Sequence, residues 1–426
     1  MFIRSFLALL FFICVLVVKS FSQDYFETIY LPDSFNVYDL AVNNQSELFV
    51  TAHSTIIGAN SVIFKSSDNG ESWQTIYEYS IGTAGLIKIN QDGVIYALAE
   101  SGLPESALMK SSDNGLTWNY LYVPLEDNTW ENDGLYIKGV DTLYVAQNNS
   151  LSVRLLRSYD EGDQWDTLFT NYNSSEIISS LAIGNEGELF IGLTGFFEET
   201  GGVYKSVDNG NTWNLIGLFS NMVRDLSYNT IGDLFITVLG GHETPGLYAI
   251  YENDEVISPV FTGPSFTGLC INQSDDLFAG NFYMGSVFHT SDYGITYNWI
   301  TSGLPLYASI TDLYIDPGQY LYATSGDKRI WKSFESTVTA TKIINKNNFK
   351  VYPNPTRGEI FGTILGRINS PAYFRFSDLQ GKDILSGKLI ITNSSFAFDI
   401  NRLAKGSYIL NIFYENIIYS NIVTKY

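Results

Sequence analysis

An all-β chain, a seven-bladed β-propeller followed by a small β-sandwich, is predicted by three features of the sequence. An eight-residue pattern recurs with a period near 44 residues. Short apolar and aromatic runs alternate with Asn-, Asp- and Gly-rich turns, and no repeat holds a helical period of useful length. The charge also changes sign near residue 341: residues 23–340 sum to −29 and residues 341–426 to +6, within a total of −21.

The chain opens with an address. Arg4 precedes the apolar run Phe6–Val18, and Ser20 and Ser22 supply small residues before Gln23. That arrangement is a secretory signal peptide over residues 1–22. Its apolar run is shorter than the roughly 20 residues a membrane-spanning helix needs. Cleavage would remove Cys14 and leave Cys270 alone, so the mature chain is expected to lack both a disulfide and a transmembrane segment.

The repeat has the form Ser-x-Asp-x-Gly-x-x-Trp. Full copies contain Asp68, Gly70 and Trp73; Asp113, Gly115 and Trp118; Asp160, Gly162 and Trp165; and Asp208, Gly210 and Trp213. A looser copy has Asp292, Gly294 and Tyr297, and eroded copies are marked by Glu252 and Glu335. The acidic positions lie 45, 47, 48, 44, 40 and 43 residues apart. Four short strands per repeat make a blade, and seven repeats make a closed ring over residues 23–340. In the box itself, the Asp accepts backbone N–H groups, the Gly takes a positive φ, and the Trp packs between sheets. Catalytic or metal roles for these aspartates are disfavoured, because they sit near the rim, too far apart to converge.

Closure is legible too. Phe26-Glu27-Thr28-Ile29-Tyr30 matches Trp73-Gln74-Thr75-Ile76-Tyr77, the strand that follows the first box. The seventh repeat ends near Ala340 without such a strand, so the N-terminal segment is expected to supply it and remove the unpaired junction.

On these boxes, residues 24–340 resemble the Asp-box, or bacterial neuraminidase repeat, propellers. That family includes sialidases, xyloglucanases, sortilin-type receptors and photosystem-assembly propellers. The resemblance implies that the box is a structural turn between the third and fourth strands of a blade. Sialidase activity is not expected. The resemblance would require an arginine triad and an Arg-x-Pro motif, yet residues 23–340 hold only Arg154, Arg157, Arg224 and Arg329, none of them before x-Pro. Xyloglucanase-type enzymes pair two propellers, and the chain has length for one.

A polar linker, residues 341–348, leads to a second address. Residues 349–426 carry Tyr352-Pro353-Asn354-Pro355, then Gly381-Lys382, then Leu403 followed by Gly406-Ser407-Tyr408, and end in Lys425-Tyr426. Alternating runs among them suggest a small sandwich. These landmarks resemble the type A C-terminal sorting domain of the type IX secretion system. The resemblance implies that machinery as a partner, passage through the periplasm of a Gram-negative bacterium, and a secreted or outer-surface destination. A plain carbohydrate-binding sandwich is the alternative.

Composition narrows the chemistry. A pI near 4.4 excludes nucleic-acid binding. Two cysteines exclude a disulfide scaffold or a thiolate zinc site. His53, His242 and His289 fall on different blades, and neither a cofactor nor a metal site is expected. Aligned repeats put Asp39, Gly85, Gly134, Ser180, Asp225, Gly268 and Asp312 at the start of the innermost strands, where propeller ligands enter. Asp39, Asp225 and Asp312 are the catalytic candidates, since paired carboxylates serve glycoside hydrolysis. The alternative is that they cap a turn or bond an adjacent strand. Trp130, Phe196, Phe197, Phe282 and Tyr283 are loop aromatics that could stack on sugar, or pack beneath long loops instead. The reading favoured here is an exported binding module for glycan or protein. A glycoside hydrolase using channel carboxylates and a cell-surface scaffold or adhesin component stand as alternatives.

Overall fold

Every described element is a strand, and the turns between strands set the architecture. The computed structural model describes residues 24–426 apart from 57–58, 80–82, 101–106, 125–130, 150–151, 173–175, 185–186, 196–199, 231, 252–256, 293, 295, 339–342, 345–348, 365–370, 380–382, 392–394 and 415–416. The leader at 1–22 and most of the linker lie outside these residues.

Seven antiparallel four-stranded blades follow one another along the chain, and a single pair, Thr194 with Met222, joins the fourth and fifth into one eight-stranded sheet. The first strand of each lies innermost: Phe35–Val42, Thr83–Ile89, Glu131–Lys138, Glu176–Ile183, Asn221–Tyr228, Phe266–Ile271 and Asp312–Ile315. Blade 7 takes its outer strand from the other end of the ring. Phe26–Tyr30 pairs antiparallel with Arg329–Ser333, with Phe26 opposite Ser333 and Tyr30 opposite Arg329. The closure expected from the sequence is present.

The ring has no single core. Among the described residues, seven apolar clusters lie one at each blade interface. Ile29, Leu40, Val50, Tyr322 and Ile330 join blades 7 and 1, while Phe235, Leu247, Phe266 and Phe288 join blades 5 and 6. Strands buried on both faces explain their near-continuous apolar runs, such as Leu189–Gly195.

The repeated box forms the turn between third and outer strands. Ser66 Oγ donates to Asp68 Oδ1 at 2.8 Å and accepts the Gly70 N–H at 2.8 Å. Asp68 in turn accepts the Ser72 N–H at 2.9 Å and its hydroxyl at 2.5 Å. Asp113 with Thr117, Asp208 with Thr212 and Asp292 with Thr296 repeat both bonds, and Asp160 holds the Gln164 N–H. These bonds draw the Asp68 carboxyl down to about 2, led by the Ser72 hydroxyl.

The box also clasps the blade before it. A methyl on Gly70 would run into Ile29 of the closing strand, one on Gly115 would lie 2.6 Å from Ile76, and one on Gly162 2.9 Å from Leu121. Gly210 meets Leu168 and Gly294 meets Val260 in the same way. Trp73 Nε1 donates to the Tyr30 carbonyl and Trp213 Nε1 to that of Leu168, both at 2.9 Å. Trp118 meets Tyr77 edge-on at 5.9 Å, and Trp165 donates within its own box to Gly162.

The C-terminal region folds on its own core of Phe349, Ile360, Phe376, Phe396, Leu410, Ile412 and Val423. A five-stranded sheet places Gly406–Tyr414 between Ile417–Lys425 and Pro371–Ser377, and a three-stranded sheet centres on Glu359–Ile364. Lys425 Nζ donates to the carbonyls of Ile400, Asn401 and Leu403 at 2.9, 2.7 and 2.5 Å. The basic residue ending the last strand therefore ties it to the Leu403 turn.

Gly70→Ala is expected to cost about 3 kcal/mol in urea unfolding, combining left-handed backbone strain with overpacking against Ile29. Gly93 has a similar φ of +83° but nothing within 4 Å of an added methyl, so Gly93→Ala should cost only about 1 kcal/mol. Equal losses would mean that the clasp on the closing strand contributes nothing.

Candidate functional site: polar groups in the channel and a cavity on blade 6

Six of the seven inner strands share one irregularity. Their pairing with the second strand breaks between Val37 and Asp39, Asn132 and Gly134, Ile178 and Ser180, and Val223 and Asp225. Comparable breaks span Gly85 and Gly268. After the break, Asp39, Gly134, Ser180 and Asp225 face Thr51, Ala146, Gly192 and Thr237, and Asp312 faces Thr324. Only Asp312 begins its strand as expected. Asp39 and Asp225 sit past the middle of theirs, because the bulge adds residues ahead of them.

This position brings the three carboxylates around the axis, and a residue the sequence reading missed joins them. Asp39 is buried, with Oδ1 accepting the Leu40 N–H at 2.8 Å. Its Oδ2 accepts the blade 2 Ile87 N–H at 2.9 Å and Lys88 Nζ at 2.8 Å. Asp225 Oδ1 accepts the Leu226 N–H at 2.8 Å and the blade 4 Ser180 hydroxyl at 2.9 Å. Its Oδ2 accepts the blade 6 Leu269 N–H at 2.9 Å. Asp312 Oδ1 accepts the Leu313 N–H at 2.8 Å.

Enclosure changes their acidity. Burial raises Asp225 to about 6 against the opposing hydrogen bonds from Leu269, Ser180 and Leu226. Burial, then the nearby Asp39 charge, raises Asp312 to about 7, with Lys88 opposing. Burial disfavours the Lys88 ammonium, but Asp39 and Asp312 outweigh it and hold the lysine charged. Burial also pushes the Cys270 thiol upward, helped by Asp312 and Asp225. The cluster can hold a proton near neutrality on Asp312 beside the Asp39–Lys88 ion pair. Both Asp39 oxygens and both Asp225 oxygens are nevertheless engaged, chiefly in linking blades.

A second feature lies on the face opposite the boxes, where outer strands cross to the next inner strand. A cavity of about 620 Å³ is lined by Pro264, Asn281, Tyr283, Met284, Trp299 and Leu306, among others. Tyr283 is 65% exposed and stands edge-on to the half-buried Phe282 at 5.0 Å. Trp299, Met284 and Leu306 were missed; Trp299 lies two residues beyond Tyr297 of the loose box, but nothing in that spacing shows which way it faces. Trp130, Phe196 and Phe197 lie outside the described residues.

The histidines stay apart. His53 stacks on Tyr38, His289 stacks on Phe278, and His242 is near Glu243. Among the described residues, no group of three or more His, Cys, Asp or Glu could hold a metal ion. No described helix is long and apolar enough to cross a membrane.

Residues 350–425 match the secretion system C-terminal sorting domain. A chain carrying this type IX sorting domain is exported to the cell surface or secreted. No curated protein matches the sequence. Solved propellers share the fold at low identity. YCF48 from Cyanidioschyzon merolae is 13% identical, with a TM-score of 0.55 over 72% of this chain and 98% of that one. A GH74 enzyme from Niastella koreensis is 12% identical, with a TM-score of 0.54 over 94% and 74%. PorZ, a surface component of the type IX secretion system of Porphyromonas gingivalis, is 11% identical, with a TM-score of 0.51 over 93% and 60%.

Because the folded-state value of Asp312 is raised from 3.8 to about 7, its charge opposes folding, and stability falls as pH rises through that interval. A fully closed interior would make this about 4 kcal/mol. Asp312 is open to channel water, which screens it to about 1–2 kcal/mol. Asp312→Asn should therefore be more stable than wild type by that amount at pH 8 and equal to it at pH 4, as read by urea unfolding. Equal stability at both pH values would remove the electrostatic penalty.

Proposed function

We propose that this chain is an Asp-box propeller, residues 23–340, which acts outside the cell as a binding module for a glycan or protein. In this reading residues 1–22 are a signal peptide, and the sorting domain at 349–426 engages the type IX machinery as the chain crosses the outer membrane. The observation that carries the binding reading is the cavity on blade 6, with Tyr283 exposed at its edge. Its volume falls in the range of ligand sites, and aromatic side chains supply contact area at low entropic cost. The box aspartates serve the turn, as their bonds to Ser72, Thr117, Thr212 and Thr296 indicate.

The hydrolase reading draws on Asp312 holding a proton near neutral pH beside Asp39. It is the weaker of the two, because Asp39 is already bonded to Leu40, Ile87 and Lys88.

The test is a binding screen of the purified full chain against plant, algal and host glycans and against extracellular peptides. The expected result is a specific ligand whose affinity falls at least about tenfold in Tyr283→Ala and is unchanged in Asp312→Asn. A ligand turned over by wild type but not by Asp39→Asn, and indifferent to Tyr283→Ala, would favour the hydrolase.

A further inference from the structure

The lining of the blade 6 cavity narrows what could occupy it. Its loops are fixed to one another: Gly285 N–H donates to the Leu306 carbonyl at 3.1 Å, and Gly263 N–H to that of Pro245 at 2.8 Å. Two polar side chains in the wall, Asn281 and Ser286, are turned back on their own loop. Asn281 Oδ1 accepts the Tyr283 and Met284 N–H groups at 2.9 and 3.2 Å, and Ser286 Oγ donates to the Met284 carbonyl at 3.2 Å. Ser265 and Thr301 supply the other side-chain hydroxyls of the lining, so a sugar seated there would lose water from more hydroxyls than these few groups can serve. The exposed remainder is mostly apolar: Tyr283, Met284 and Leu306 are 65%, 61% and 68% exposed, and the neighbouring Tyr307 is 83% exposed.

Charge around the cavity is one-sided. Between Asp225 and Asp327 the chain has no Lys or Arg, against 12 Asp and Glu. Those 103 residues form blades 5 and 6 and the inner part of blade 7. On the cavity's own face, Glu243 lies two residues before Pro245. On the other rim, Ser302, beside the lining Thr301, donates to Asp24 at 2.6 Å. Arg375 of the C-terminal region pairs with Asp275 at 3.2 Å and leaves this stretch net negative, so an apolar seat on it favours a partner that brings its own positive charge.

We propose that this cavity seats a large apolar side chain of a polypeptide partner whose flanking residues are basic. The inference rests on the binding reading above and narrows it from glycan or protein to protein.

The probe is a fluorescein-labelled hexapeptide, Lys-Lys-Phe-Leu-Lys-Lys, titrated by anisotropy against the full chain. Two control peptides replace Phe-Leu by Ala-Ala or every Lys by Glu, and a glycan panel runs in parallel. The expected result is binding at least about tenfold tighter than either control, weakening at least about tenfold between 0.05 and 0.5 M salt. Leu306→Lys and Tyr283→Ala should each remove about tenfold or more, with unfolding midpoints unchanged because both side chains are exposed. Equal binding of the Ala-Ala peptide, or binding unaffected by Leu306→Lys, overturns the proposal. A glycan that binds in a Tyr283-dependent way while the peptide does not also overturns it, and leaves the binding reading standing. Failure of both probes counts against both.

Discussion

A ring without a central core must satisfy every interface equally, and the rest of this structure follows from that requirement. Seven apolar clusters each belong to two blades, so no blade buries its faces alone. The box is the device that repeats along with the interface. Its Gly lets the turn press against the outer strand of the preceding blade, and the indole of Trp73 or Trp213 reaches back to a carbonyl there. Selection for the joint is enough to explain the box, and its carboxylates are committed to their own turns.

The same requirement accounts for the charged groups on the axis. Six of the seven inner strands bulge where they converge, and a bulge removes N–H groups from the ladder. Leu40, Ile87, Leu226, Leu269 and Leu313 follow the irregular stretch in their strands or adjoin the ring position, and each donates its N–H to an aspartate oxygen. Asp39 serves two blades at once and Asp225 three. Burial raises Asp225 and Asp312, the neighbouring Asp39 and Asp225 charges add to it at Asp312, and Lys88 offsets part of the rise.

Much of this is legible in the amino-acid sequence. The period identified blades because the box must recur at every joint, and the kinship of Phe26–Tyr30 with Trp73–Tyr77 identified the closing strand because both do the same work. Aligned repeats also put Asp39, Asp225 and Asp312 at one level. Their depth in the strand was not legible, since a bulge has no residue signature here. Lys88 was missed because it occurs in one repeat only and reaches Asp39 of another. The cavity was half seen: Tyr283 stood out as a loop aromatic, but Met284, Trp299 and Leu306 come from segments whose meeting depends on loops of unequal length. The Ser or Thr four residues after four of the five box aspartates, at Ser72, Thr117, Thr212 and Thr296, was present in the sequence and overlooked.

The antiparallel closing pair puts Phe26 opposite Ser333, so the segments leading to the two ends of the chain leave blade 7 side by side. A pull on those two ends would load the pair at its edge and peel the hydrogen bonds one after another, rather than shear them together. The ring is thus mechanically weakest along the line joining its ends, while tension applied through other blades is carried by whole sheets. During export, traction on the C-terminal region alone leaves the seam intact as long as the N-terminal segment is free to follow.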